Sequence, residues 1–374
     1  MAVRALAMAS YFEELEDPRV ERTRKHSLVD IICLSICAVI AGAEGWEDIE
    51  EFGCQKESWL RRHLRLEHGI PSHDTISRVF RALKPQAFEA AFREWVGVLA
   101  ERLGLAQIAI DGKTLRRSHD RHSAKSALHL VSAWCVQNQL LLGQQAVDGK
   151  SNEITAIPEL LKLLELKGAI VTIDAMGCQK EIAEQIVDAK GDFVLSVKDN
   201  QPKLHAALQE HFERRHAAGR RGRRQHQATR DKGHGRQEER HYYHTPIPPE
   251  LDWIAREWPA KSLGQVISYV TRDGQQTTEV RYYLSSLPPD AQRLAHAVRG
   301  HWGIENSLHW VLDVTFREDE SRIRKDHGPA NFALLRRIAI NVIKQDTSKG
   351  SIRKKRKRAA WNDDALLNSL AAAI

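Results

Sequence analysis

Cysteine is scarce: five residues in 374, at Cys33, Cys37, Cys54, Cys135 and Cys178. The number is odd, the positions are scattered and no CxxC pair occurs, which excludes a disulfide framework and a structural zinc site as the basis of the fold. A reducing cytoplasm is the expected compartment. Long apolar runs are also missing. The most apolar stretch, residues 28–43, falls short of the about 20 residues that span a bilayer and carries Asp30, so it reads as a buried core helix. No basic segment followed by a cleavable apolar core opens the chain, so no signal peptide is expected. There is no internal repeat. Charge, by contrast, is plentiful at 28%, and Lys plus Arg exceed Asp plus Glu to give a net +7. That excess favours a polyanionic partner, nucleic acid ahead of an anionic membrane. The hydrophobic content of 42% suffices for a sizeable core, and the length suggests two or three units.

Residues 10–100 read as mostly helical. SLVDIICLSICAVIAGA is one helix and WEDIEEFGCQKESWLRRHL another, with Trp46, Ile49, Phe52, Trp59 and Leu60 on its apolar face. Two further short helices flank Lys84–Pro85 and resemble a helix-turn-helix, with Arg78, Arg81 and Lys84 exposed; a plain helical bundle is the equal alternative. From residue 106 the apolar period becomes that of strands. The order β-β-β-α-β-α-β-α follows, with QIAIDG as the first strand and AIVTID as the fourth. That order matches a ribonuclease H-like topology: a five-stranded mixed sheet with helices on both sides. Residues 213–240 carry ten Arg/Lys against four acids and no apolar period, and are expected to form a mobile loop. Residues 234–287 read as a β insertion before the last helices. Residues 346–374 read as a basic tail, with six consecutive cations from Arg353 to Arg358.

Three acids stand out. Asp111 follows the apolar run IAI, Asp174 ends AIVTI, and Glu305 lies on a predicted helix in HWGIENSLHW. Carboxylates from separate elements at one end of a sheet are what divalent metal ions need for phosphoryl transfer. In the expected topology the first and fourth strands are neighbours, which would place Asp111 beside Asp174. Each aspartate alone also reads as a strand-end turn residue, Asp111 because Asp-Gly is a common turn, and Glu305 as a surface helix residue. Asp313, Glu318 and Asp319 compete with Glu305 if the helix register differs.

Six motifs in order, AIDGKTLRRS, VDGKSNEITAIPELL, VTIDAMGCQ, LSVKDNQPKL, HGRQEER and HWGIENSLHWVLDVTFREDESRIR, resemble the DDE-superfamily insertion-sequence transposases of the ISAs type, which include the H-repeat-associated proteins of bacteria. The resemblance runs from about residue 10 to about residue 345. It implies a ribonuclease H-like catalytic domain over residues 105–345 and an N-terminal helical associated domain over residues 10–100, with possible DNA contact. It implies a catalytic and metal-binding triad of Asp111, Asp174 and Glu305 that holds two Mg²⁺ ions, with Mn²⁺ able to replace them. In relatives with a fuller third motif, tyrosine, arginine and lysine stand at minus seven, minus four and plus seven from the Glu; here those positions hold Val298, His301 and Leu312.

The expected activity is DNA strand cleavage and strand transfer at insertion-sequence ends, in the bacterial cytoplasm on the nucleoid. A cleavage-only metal-dependent nuclease and a catalytically inactive DNA-binding derivative are the alternatives. The expected partners are double-stranded DNA, as element ends and target, and a second copy of the chain in a synaptic dimer; no membrane is expected. Lys113, Arg116 and Arg117 could hold backbone phosphates or form a solvated cluster. Lys198, Asn200 and Gln201 follow the fifth strand and border the same end of the sheet as candidate strand contacts. His301 and His309 would touch DNA or pack. Trp302 would stack on a flipped base or lie in the core. Asn152 and Glu153 read as a helix cap.

Overall fold

Apolar periodicity builds the first part of the chain as a helical layer. Helix α1 (Leu28–Ala41) is buried nearly all round, and the Ser27 hydroxyl caps it by accepting from Asp30 N. It is followed by α2 (Trp46–Gln55), the short α3 (Glu57–Leu60), α4 (His73–Ala82) and α5 (Pro85–Leu103). The computed structural model describes residues 6–119, 126–147, 152–219, 225–233 and 235–373. Among them no single helix is long and apolar enough to cross a membrane.

The second part is built on strands β1 (Gln107–Thr114), β2 (His129–Cys135) and β3 (Leu140–Ala146), helix α6 (Glu153–Leu161), β4 (Ile170–Ile173), α7 (Lys180–Asp188), β5 (Asp192–Val197) and α8 (Pro202–Ala217). Then come β6 (His226–Gly233), β7 (Arg236–Pro246), α9 (Asp252–Glu257), β8 (Ser262–Arg272) and β9 (Gln275–Ser285). All nine strands form one sheet, ordered β3-β2-β1-β4-β5-β9-β8-β7-β6. The β3-β2-β1-β4-β5 portion, antiparallel among β1–β3 and parallel from β1 through β4 to β5, is the ribonuclease H-like core.

The chain closes with α10 (Ala291–Ile304), a single π-helical turn over Glu305–His309, α11 (Trp310–Val314), α12 (Gly328–Gln345), α13 (Ile352–Trp361) and α14 (Asp363–Ala371). Strand β1 is covered on both faces, which explains its unbroken apolar run Ile108-Ala109-Ile110. Its odd-numbered side chains face α10 and α11: Gln107 Nε2 donates to Ala297 O at 2.7 Å and Lys113 Nζ pairs with Asp313 at 2.7 Å. Gly112 faces α6.

Four expectations are corrected. The β insertion starts at His226 rather than near 234, and it extends the expected five-stranded sheet to nine strands, because β9 pairs antiparallel with β5 from Val194↔Ser285 to Val197↔Tyr282. Within 213–240, expected as a loop, α8 runs to Ala217 and β6 pairs with β7; residues 220–224 and 234 lie outside the described residues, as do 148–151 of the second motif. The helix-turn-helix is not formed by two short helices: α5 has 19 residues and buries Phe88, Phe92, Trp95, Val96 and Leu99, packing on α12 and the edge strand β3. The basic tail is folded. Arg356 is buried, with Nη2 donating to Val39 O at 3.0 Å, Nη1 to Thr315 O, and its guanidinium 4.0 Å from the Phe316 ring centroid. Trp95 Nε1 donates to Ala373 O at 2.9 Å. Helices α13 and α14 thus close onto the N-terminal helices, while Arg353, Lys354 and Lys357 stay exposed.

One buried acid ties the helical layer to the sheet. Glu89 on α5 accepts from Gln144 N on β3 at 3.0 Å. Burial pushes its carboxyl up to about 7, against opposing pulls from Gln144 and Arg93. The folded state therefore binds more protons than the unfolded chain between about pH 4.5 and 7, and stability falls as pH rises through that window. Glu89→Gln keeps an acceptor and loses the charge. It is expected to raise stability at pH 8 by up to about 3 kcal/mol and to change it little at pH 4.5, as measured by urea unfolding at the two pH values.

Candidate active site

Strands β1 and β4 run parallel with Ile110 opposite Ile173, so the next residues, Asp111 and Asp174, emerge side by side at the carboxyl ends of neighbouring strands. Such strand ends open a crevice. Here it is a cavity of about 290 Å³, lined by Asp111, Asp174 and Glu305 together with Lys198, Arg281, Tyr283, His301 and Trp302. Asp174 is held by its own turn, its Oδ1 accepting from Met176 N at 3.1 Å and Gly177 N at 3.4 Å. Asp111 Oδ1 accepts from Gly112 N at 2.9 Å.

Glu305 opens the π-helical turn. One residue inserted into an α-helix rotates everything after it by about 100°, and such turns are frequent at functional sites. Here the turn separates α10, whose Gly300 gives way to the Gln107 side chain, from α11. His309 closes the turn. Its Nδ1 lies 3.1 Å from Glu305 Oε2 and 3.5 Å from Asp111 Oδ2, and the ring is buried. Donor atoms of Asp111, Glu305 and His309 all fall within 4.8 Å of one another, close enough to hold a metal ion, and Asp174 lines the cavity outside this group.

The electrostatics show a site short of positive charge. Burial pushes the Asp111 carboxyl up to about 6; His309 and the Gly112 amide pull the other way, and Asp174 and Glu305 add to the rise. Burial also raises Asp174, followed by repulsion from Glu153, with Lys198 opposing. Glu305 is lowered, first by its hydrogen bond with His309.

The other sequence-predicted residues divide by what they touch. Lys198 is exposed at the cavity mouth, as are Arg116 and Arg117 beyond the end of β1. Trp302 is 43% exposed on the cavity wall, with the Arg281 guanidinium 5.1 Å from its ring centroid. Lys113, expected to be a phosphate contact, is instead buried and committed to Asp313 at 2.7 Å, Asp319 at 3.1 Å and Glu318 at 3.8 Å. The three acids that competed with Glu305 are therefore counterions of Lys113. Asn200 and Gln201, expected at the DNA strand, reach across to the turn after β4: Asn200 Nδ2 donates to Ala175 O at 2.7 Å and Gln201 Nε2 to Cys178 O at 2.9 Å. They hold the Asp174 turn in place. His301 shares a hydrogen bond with Thr172 Oγ1 at 3.1 Å, and burial pushes its pKa down to about 4. It is neutral near pH 7 and cannot supply the positive charge of an arginine. Val298 lines the cavity and Leu312 is fully buried, so apolar side chains stand where the fuller motif has its tyrosine and lysine.

Sequence reasoning missed three contributors. Arg281 and Tyr283 come from β9, whose pairing with β5 a five-stranded sheet does not include. Glu153, read as part of a helix cap, accepts or shares a proton with His129 Nε2 at 2.7 Å, and His129 Nδ1 meets Thr114 Oγ1 at 2.7 Å. This chain lies against the backbone of Gly112, where an added Cβ would stand 2.2 Å from Glu153 Oε1. A side chain at the glycine of the IDGK motif would have to push the Glu153 carboxylate and the His129 ring aside. Asn152, by contrast, does cap α6, accepting from Ile154 N at 3.1 Å.

A second cleft, of about 590 Å³, opens between α4 and the segment following Glu320; Trp46, Arg81, Arg322, Arg324 and Lys325 line it. Arg324 Nε donates to Arg117 O at 3.0 Å, which joins this cleft to the segment that follows β1.

With this geometry in hand, residues 103–342 match the family described as the transposase DDE domain. The chain belongs to the DDE transposase family. Residues 9–96 match a DDE_Tnp_1-associated domain, which covers most of the helical layer of this transposase. Two relatives from Escherichia coli match nearly its full length. "Putative transposase YncI" of strain O157:H7 is 42% identical over 95% of this chain and 92% of its own. "H repeat-associated putative transposase YhhI" of strain K12 is 42% identical over 93% of each chain. Among solved structures, a piggyBac transposase synaptic complex with hairpin DNA superposes with a TM-score of 0.42 at 13% identity, over 95% of this chain and 75% of that one.

Proposed function

We propose that this transposase cleaves DNA strands at the ends of an insertion sequence and transfers them to a target, using divalent metal held by Asp111, Asp174 and Glu305. The observation that carries this reading is the arrival of three carboxylates from three separate elements at one cavity. The donor set fits the group. All are hard oxygen ligands, two are pushed up by burial for want of nearby positive charge, and metal-activated phosphoryl transfer needs a few such carboxylates with the remaining positions left to water and phosphate. Two Mg²⁺ ions, or Mn²⁺ in their place, would supply Lewis-acid charge to the phosphoryl oxygens and activate the attacking hydroxyl.

The chain's own residues do the rest. Asp111 stands between Asp174 on one side and Glu305 on the other and is the residue expected to serve both ions. Asn200 and Gln201 hold the Asp174 turn, and Lys113 ties β1 to α11, so the carboxylates are set before substrate arrives. Neutral His301 braces α10 against β4 through Thr172. Exposed Lys198, Arg116 and Arg117, and the cations of the cleft by α4, form the surface for double-stranded DNA, both element end and target. Trp302 offers a stacking face at the cavity wall. Two ends must be held at once, which favours a dimer, working in the bacterial cytoplasm on the nucleoid.

The phosphate-contact part of this reading is tested by salt. Binding of end DNA should weaken along a straight line of log K against log salt, and Lys198→Ala should reduce that slope by about 1. A slope unchanged by the substitution removes Lys198 from the interface, and a flat response in the wild type overturns the polyanion contact altogether.

A further inference from the structure

We infer that His309 is itself a metal ligand, so that the centre is a mixed nitrogen and oxygen site rather than one of carboxylates alone. This rests on the reading of the cavity as a metal centre and adds a residue to it. The π-helical turn aims Glu305 and His309, four residues apart, at the same point above the end of β1. His309 Nδ1 faces two carboxylate oxygens from different elements, 3.1 Å from Glu305 Oε2 and 3.5 Å from Asp111 Oδ2. A simple helix-surface pair would involve one of them. The side chain is 5% exposed, which removes His309 from the surface available to DNA. Its Nε2 is buried without a hydrogen-bond partner among the described residues. The ring therefore makes its polar contacts through Nδ1, and through Nδ1 toward the position where the two carboxylates converge. Donor atoms of Asp111, Glu305 and His309 lie within 4.8 Å of one another, a spacing that lets one cation touch all three.

The chemical consequence is selectivity. Carboxylate and water ligands suit Mg²⁺ and Mn²⁺, whereas an imidazole nitrogen moves the preference along the series toward Mn²⁺ and Co²⁺. Mg²⁺ remains the abundant ion, but Mn²⁺ should bind this centre more tightly than it would three carboxylates, and His309 should account for the difference.

Mn²⁺ alone, added to the full chain, is the probe. Pulsed electron paramagnetic resonance on the bound ion should show a nitrogen hyperfine coupling that changes on labelling histidine with ¹⁵N; no substitution, and so no risk to folding, is involved. His309→Ala should remove the coupling and weaken Mn²⁺ binding by about tenfold or more, with a smaller effect on Mg²⁺. Mn²⁺ bound in an Asp111-dependent way with no nitrogen coupling overturns this inference and leaves the carboxylate centre standing. Mn²⁺ binding that is absent, or indifferent to Asp111→Asn, overturns the metal centre and the inference with it.

Discussion

Asp111→Asn is expected to lose Mg²⁺-dependent cleavage of end DNA by at least about 10³-fold and yet to fold at least as stably as the wild type. Loss of a carboxylate proposed to hold the metal would remove several kcal/mol of charge stabilisation in the transition state, and each 1.36 kcal/mol is about tenfold in rate. The stability half follows from the same geometry. Burial pushes the Asp111 carboxyl up to about 6, and Asp174 and Glu305 add to that. Between about pH 4 and 6 the folded protein holds a proton that the unfolded chain has released, so in the absence of metal stability falls as pH rises through that window. Above it the ionised carboxylate is a burden on the order of 2 kcal/mol, which a neutral amide of the same shape relieves. Thermal melts in chelator at pH 8 check this, alongside cleavage assays. A variant that is both inactive and unfolded would place Asp111 in the framework and not at the reaction.

Glu318→Ala is expected to be strongly destabilising, by about 3–5 kcal/mol. Glu318 is 1% exposed. It lies 2.7 Å from Arg337 Nη1, 3.9 Å from Arg336 Nη1 and 3.8 Å from Lys113 Nζ. Removing it leaves three buried or nearly buried cations with less counter-charge than they need, and an unpaired buried charge costs far more than the pair contributes. Urea unfolding measures the loss. Glu320→Ala, two residues on, breaks an exposed pair with Arg317 and should change little. The network also bears on the site: Lys113 links β1, which carries Asp111, to Asp313 on α11, just past the turn that carries Glu305 and His309. A partial loosening at Glu318 should therefore lower metal affinity before it unfolds the chain.

Much of this was legible from residue order. The runs IAI and AIVTI are apolar on both sides because helices cover both faces of the sheet, and a carboxylate directly after each such run marks the strand end. The β-α alternation then suffices to set β1 beside β4. Glu305 was less accessible to pattern, since a glutamate on an amphipathic helix is ordinary; the motif around it carried the assignment. The π-helical turn left no trace, because one extra residue among apolar positions 304, 308, 311 and 312 still looks helical. Lys113 misled because its burial depends on acids about 200 residues away, and those acids had drawn notice only as rivals of Glu305. Arg356 misled in the same manner, its charge being absorbed by two carbonyls and an aromatic ring far along the chain. The pairing of β9 with β5 is equally non-local, and strands β6 to β9 expose polar residues along much of their length, so nothing in their period announces that they extend the sheet of β1 to β5.

The central claim is that Asp111, Asp174 and Glu305 form the centre that cuts and joins DNA. It is tested most directly by incubating the full chain with a linear fragment bearing the element's terminal sequence and a supercoiled target plasmid, in Mg²⁺, and counting cleaved ends and joined products. The wild type should give both, chelator should abolish both, and Asp111→Asn, Asp174→Asn and Glu305→Gln should each give neither while retaining DNA binding. Cleavage and joining that persist in any one of the three folded variants would contradict the assignment.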